Sequence, residues 1–272
     1  MSIPNVIIFG ETGAGKSSLV NLIAGKYIAP TSSRSVGCTF KSTSYTVNID
    51  GMLFNLHDTA GLDEARGGTV AKHDAIVQLY TLLRKLETGV SLLVFCMRGP
   101  RITESCVKNW RLFREIICQR RVPILLAVTG LENEGNGMDA WWTQNEEHFM
   151  KYEMYPNGVV CLTTTRGRAA PWGGHYFDEL YEESQEKIKK AIRALYLRIP
   201  WQVPTAEWFK EIIELSYTSD KDPQEIRTSR EALGSATEEL VRRLEMTPEE
   251  ANDLARKLNA IHYFNHPEHD DL

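Results

Sequence analysis

Apolar runs and segments of helical period alternate from the first residues of the chain. The runs "NVIIF" (5–9), "SYTVNI" (44–49), "MLFNLH" (52–57), "SLLVFCM" (91–97), "VPILLAV" (122–128) and "GVVCLTT" (158–164) are rich in Val, Ile and Leu. Near-continuous apolar strands are buried on both faces, as in an α/β protein with helices on either side of its sheet. Between them the pattern predicts helices over 16–24, 70–86, 103–118, 139–153 and 176–196. Only Asp50-Gly51 separates the second run from the third, and that pair favours a two-residue hairpin turn, so these two strands run antiparallel. The expectation is a three-layer α/β fold with a mostly parallel six-stranded sheet and one antiparallel edge.

In the third of these helices Val107, Trp110, Phe113 and Ile117 recur at steps of three and four, which marks its buried face. Trp141 and Trp142 open the fourth, near a cap at Asp139, and belong to the core or to a subunit contact. Beyond "RIPWQVP" the strands stop: Pro200 and Pro204 break the preceding helix, and the remaining residues read as helical hairpins. Thr247, Pro248 and Glu250 make a capping box there, followed by a stripe of Leu254, Leu258 and Ile261. Two units are expected, 1–199 and an all-α extension over 200–272, whose stripe packs on the first unit or binds another protein.

Composition narrows the picture. A chain of 272 residues with 42% hydrophobic and 25% charged residues is an ordinary globular protein rather than a disordered one. A net charge of -5 with interspersed signs argues against nucleic acid or an acidic membrane surface as partner. The five cysteines, Cys38, Cys96, Cys106, Cys118 and Cys161, lack C-x-x-C spacing, so they read as small buried side chains in a reducing compartment. With no signal peptide and no run of some 20 apolar residues, the expected location is the cytoplasm, without a membrane span.

The chemistry sits after the first run. "GETGAGKS" matches G-x-x-x-x-G-K-[ST], with Gly10, Gly15, Lys16 and Ser17 at the fixed positions. Its glycines let successive N–H groups of Glu11, Thr12, Gly13, Ala14, Gly15 and the residues through Ser18 face phosphate oxygens at the positive end of a helix. Lys16 is expected on the β- and γ-phosphates and Ser17 on Mg²⁺. A second signal, "HDTAGLDE", ends the third strand; Asp58 can hold Mg²⁺ through water and the Gly61 N–H can approach a γ-phosphate.

"GxTGxGKSS" together with "DTAGL" resembles the translation-factor-related P-loop GTPases, and within them the septin, Toc and AIG1 (GIMAP-like) group, over residues 4 to 198. That resemblance implies a G domain that hydrolyses GTP to GDP with Mg²⁺, with switch loops over 29–40 and 58–70. It implies Thr39, or Ser35, as the switch residue on Mg²⁺ and the γ-phosphate. It aligns Arg101 and Thr103 of "RGPRITES" with the group's Gly-Arg-aromatic-Thr box. Guanine reading by [NT]-K-x-D corresponds to Thr129, Gly130, Leu131 and Glu132, where Gly130 replaces the Lys that packs over the base and Glu132 replaces the Asp. Thr164, Thr165 and Arg166 of "CLTTTRG" stand in the place of the last base-contacting loop.

Leu62 follows D-T-A-G where Ras-like proteins carry the water-orienting Gln. The group's habit of pairing across nucleotide faces implies a homodimer, with Arg101, or Arg66 of the second switch, opposing charge that develops in the transition state. His57 and His73 lie near the switches, where packing is the commoner use of a lone His. A protein effector that reads the switches is implied but not identified by any residue. Two other readings stay open: a scaffold that binds GTP without turnover, and an ATP-dependent small-molecule kinase, for which no lid insertion is apparent.

Overall fold

The computed structural model describes residues 2–31, 42–59, 82, 86, 88–111, 113–114, 118 and 120–202. Among them are six strands and four helices: β1 (Asn5–Phe9), α1 (Lys16–Ala24), β2 (Ser42–Ile49), β3 (Met52–Thr59), β4 (Leu92–Arg98), α2 (Glu104–Arg111), β5 (Ile124–Thr129), α3 (Met138–Lys151), β6 (Gly158–Cys161) and α4 (Asp178–Leu195). The sheet order is β2-β3-β1-β4-β5-β6. β2 and β3 pair antiparallel, Ile49 opposite Met52, and every other pair is parallel. Asp50 (φ 48°) and Gly51 (φ 84°) both take the left-handed conformation that their turn demands. The anticipated α/β architecture is therefore present. Apart from residues 82 and 86, the helix expected over 70–86 lies outside the described residues, as does the extension from 203 onward.

Alternation along the strands sorts the core into two layers. Ile7, Phe9, Leu93, Phe95, Leu126 and Val128 face Val107 and Trp110 of α2 and Trp141 and Phe149 of α3. Val6, Ile8, Leu56, Val94 and Ala127 face Leu19 and Ile23 of α1 and Ile188 and Ile192 of α4. The first layer is aromatic: Phe9 stacks on Phe113 at 3.6 Å between centroids, and Trp110 meets Phe95 edge-on at 5.7 Å. Asn5 closes the lower end of β1, donating to Thr88 Oγ1 and the Gly89 carbonyl and accepting from His57 Nε2. After α4 the chain returns to this end, where the Trp201 N–H donates to the Val90 carbonyl.

Several elements differ from the sequence expectation at their ends, helices α2 and α3 among them. Helix α2 is described over Glu104–Arg111; beyond it the Cys118 N–H reaches back five residues to the Phe113 carbonyl, and Phe113 is buried. Helix α3 starts after Gly137 with no side-chain cap. Asp139 instead lies in its first turn and accepts from Lys187 Nζ at 2.7 Å.

Candidate functional site

The carboxyl ends of β1, β3, β4, β5 and β6 lie along one edge of the sheet, the edge at which open α/β sheets bind ligands. The turn after β1 is held there by its backbone path. At Gly10 (φ +145°) a Cβ would stand 1.9 Å from the Cys96 carbonyl oxygen, so the chain passes directly over β4. Gly13 (φ +78°) and Gly15 (φ +90°) complete the bend, and the Leu19 N–H donates to the Gly15 carbonyl to open α1. The Ala14 carbonyl accepts from Thr129 Oγ1 at 2.7 Å and from Cys96 Sγ at 3.1 Å. Burial pushes the Cys96 thiol up to about 12, so it serves as a donor rather than a nucleophile.

Lys16 folds back over this loop and donates to the carbonyls of Gly10 (3.1 Å) and Glu11 (2.8 Å). Ser17, in the first turn of α1, donates to Asp58 Oδ2 at 2.6 Å. Loss of water around Asp58 raises its carboxyl above the ordinary carboxylate range, while the Ser17 hydrogen bond and the Lys16 charge pull it down. The Glu11 carboxylate accepts from the Thr103 hydroxyl, whose oxygen in turn accepts from the Cys106 N–H as the cap of α2. Arg101 is exposed on the segment between β4 and that cap. Ser18 is half-buried on α1 and Thr12 is exposed at the crown of the loop.

The other half of the edge is built from the ends of β4, β5 and β6. Gly130 takes φ +79° immediately after β5, and the Oε2 of Glu132 is buried with no hydrogen-bond donor among the described residues. Thr164 Oγ1 comes within 3.6 Å of where a Gly15 Cβ would be. Thr165 spends its groups on its own turn, its N–H on Thr163 Oγ1 and its Oγ1 on the Gly167 N–H. Arg166 turns away to Asp178 (2.5 Å) and lies over the Tyr181 ring.

Comparison with known proteins agrees with this geometry. A family model described as 50S ribosome-binding GTPase matches residues 5–129. A probable GTP-binding protein EngB of Ehrlichia chaffeensis is 31% identical over 190 residues, which cover 70% of this chain and 88% of that protein. The chain belongs to the P-loop GTPases. The mitochondrial tRNA modification GTPase mss1 of Schizosaccharomyces pombe is 37% identical over 101 residues, 37% of this chain, and the chain spans only 20% of that relative's length. Immune-associated nucleotide-binding protein 3 of Arabidopsis thaliana is 24% identical over 226 residues, covering 71% of the chain and 67% of the relative. These relatives come from several branches of the family.

Within this GTPase Glu11 through Ser18, Asp58, Thr129, Gly130 and Glu132 lie at one edge of the sheet. Thr129, expected at the base, has its hydroxyl on the phosphate loop. Thr39, Ser35, Gly61, Leu62, Arg66 and His73 lie outside the described residues. His57 lies on the opposite sheet face from Asp58; burial lowers its imidazole to about 4, so it is neutral and structural. Cys96 belongs to no motif, and Arg98, though it opens the stretch "RGPRITES", lies outside the box aligned there. Their only signal in the sequence is position at the end of β4, beside the loop.

Proposed function

We propose that this GTPase binds GTP through Lys16, Ser17 and Asp58, reads guanine through Glu132, and hydrolyses the nucleotide to GDP and phosphate. The observation that carries the reading is the 2.6 Å hydrogen bond between Ser17 and Asp58 beside the Lys16 ammonium. A hydroxyl and a carboxylate from adjoining elements form a hard-oxygen pair suited to Mg²⁺, which takes few protein ligands and completes its shell from water and phosphate. No group of three or more His, Cys, Asp or Glu competes for a metal among the described residues. Bound there, Mg²⁺ would withdraw charge from the β- and γ-phosphate oxygens.

The chain's own groups do the rest. The loop amides and the start of α1 receive the phosphates, and Lys16 exchanges two backbone carbonyls for phosphate oxygens. Glu132 accepts from N1–H and N2–H₂ of guanine, a donor pair that adenine lacks. Leu62 leaves the attacking water without a side-chain amide, so we assign charge stabilisation to Arg101, acting across a dimer of nucleotide faces, with Arg66 as its rival. Thr39 and Gly61 would close the two switches on the γ-phosphate for a protein effector to read. We take the septin, Toc and GIMAP-like group as the proposed branch, a reading supported by the likeness to the Arabidopsis immune-associated protein. A cytoplasmic setting fits the buried free thiols of Cys96, Cys106, Cys118 and Cys161.

The test is phosphate release from equimolar GTP and ATP over a series of protein concentrations, with Mg²⁺ and with chelator. Selective GTP turnover that needs Mg²⁺ and rises more steeply than protein concentration is expected. Tight GTP binding without release would instead favour the scaffold that Leu62 allows, and ATP preference would overturn the guanine assignment.

A further inference from the structure

We infer that Arg98 forms the face on which the nucleobase rests, and that Gly130 is the residue that leaves room for it; this rests on the guanine reading above and adds a residue outside every motif. Arg98 ends β4 and is paired in register with Thr129 of β5. Its side chain bends toward β5: a Cβ at position 130 would lie 3.3 Å from Arg98 Cγ, 3.5 Å from Nε and 3.7 Å from Cζ. The guanidinium thus lies against the Gly130 backbone, and any larger residue there would displace it. Gly130 is also the residue whose φ of +79° other side chains rarely adopt.

A guanidinium therefore lies against Gly130, and two residues further along the chain a carboxylate oxygen is buried. Arg98 has no hydrogen bond or ion pair among the described residues, and Glu132 Oε2 is buried without a donor. A purine matches both. Its edge presents N–H donors that suit a carboxylate, and its flat π-face suits a planar, weakly hydrated guanidinium. Such stacking is tolerant of base identity, because every base has a face. Arg98 would then supply affinity, while Glu132 supplies selectivity.

Arg98 is exposed, so Arg98→Ala is expected to fold with an unchanged melting temperature. Binding is measured for GDP, inosine diphosphate and inorganic triphosphate by Arg98→Ala, Arg98→Phe and the unaltered protein. Arg98→Ala should weaken both nucleoside diphosphates by about tenfold, in equal proportion, and leave inorganic triphosphate within twofold. Arg98→Phe, planar but neutral, should recover most of the loss. Unchanged GDP affinity in Arg98→Ala, an equal loss for inorganic triphosphate, or no recovery in Arg98→Phe each overturns the assignment. If the unaltered protein binds GDP no better than inorganic triphosphate, the guanine reading itself falls and takes this inference with it.

Discussion

The two ends of the site are held in different ways. At the phosphate end nearly every polar group has a partner inside the protein: Ala14 with Thr129 and Cys96, Lys16 with Gly10 and Glu11, Ser17 with Asp58, Glu11 with Thr103. At the proposed base end fewer groups are tied: among the described residues Glu132 Oε2 lacks a donor, and Arg98 lies along Gly130. The phosphate end is defined by a backbone path, which fixes residue identity; the base end is defined by side chains, which a neighbouring strand can replace. One is a mould, and the other is a set of exchangeable contacts.

The largest effect should come from filling the mould. Gly10→Ala places a methyl 1.9 Å from a backbone oxygen at a positive φ, so the sheet must part between β1 and β4; a loss of about 4 kcal/mol is expected. Thermal unfolding should shift down by roughly 10 °C, and an unchanged midpoint would show that the loop does not pass over β4 as described. Next, Lys16→Ala with Ser17→Ala should leave the fold intact and weaken GTP by at least about 100-fold, near 3 kcal/mol. Titration with a fluorescent GTP analogue would measure it, and unchanged affinity in the folded variant would mean that the nucleotide is held somewhere other than this loop. At the base end Glu132→Gln should weaken GTP by roughly 30-fold while ATP stays the same, narrowing the gap between the two. Equal losses for both would mean that position 132 shapes the pocket without reading the base.

The same contrast decided what the sequence could disclose. β1 and α1 agree with expectation to the residue, Asn5–Phe9 and Lys16–Ala24, because a buried strand, a glycine turn and a 3.6-residue period are all local signals. The last apolar run reaches 164, but β6 ends at Cys161; Thr163 and Thr165 bond to each other and draw the chain out of the ladder. Thr129 was legible as a site residue, but which half of the site its hydroxyl serves depends on Ala14, 115 residues away in sequence. Arg98 was invisible for the same reason. Its neighbour Gly130 follows another strand, and the sequence shows at 130 only a Gly in place of a Lys, not the guanidinium that lies beside it.

The smallest effect has the opposite sign and sets function against stability at the phosphate end. Burial raises the Asp58 carboxyl more than Ser17 and Lys16 lower it, so the folded, nucleotide-free protein holds a proton there that the unfolded chain has already released. Stability contributed by this group is therefore greatest below the unfolded value of 3.8, falls as pH rises through the raised folded value, and stays reduced at pH 7. Asp58→Asn keeps an oxygen acceptor for Ser17 without the buried charge. It should stabilise the nucleotide-free protein at pH 7 by on the order of 1 kcal/mol and flatten the acid limb of the stability curve, while GTP with Mg²⁺ ceases to raise the melting temperature. Urea unfolding at pH 4 and pH 7, with and without GTP and Mg²⁺, would measure both. A variant less stable than the original at pH 7 would mean that Ser17 and Lys16 outweigh the desolvation of Asp58, and that the phosphate end is built for stability as well as for binding.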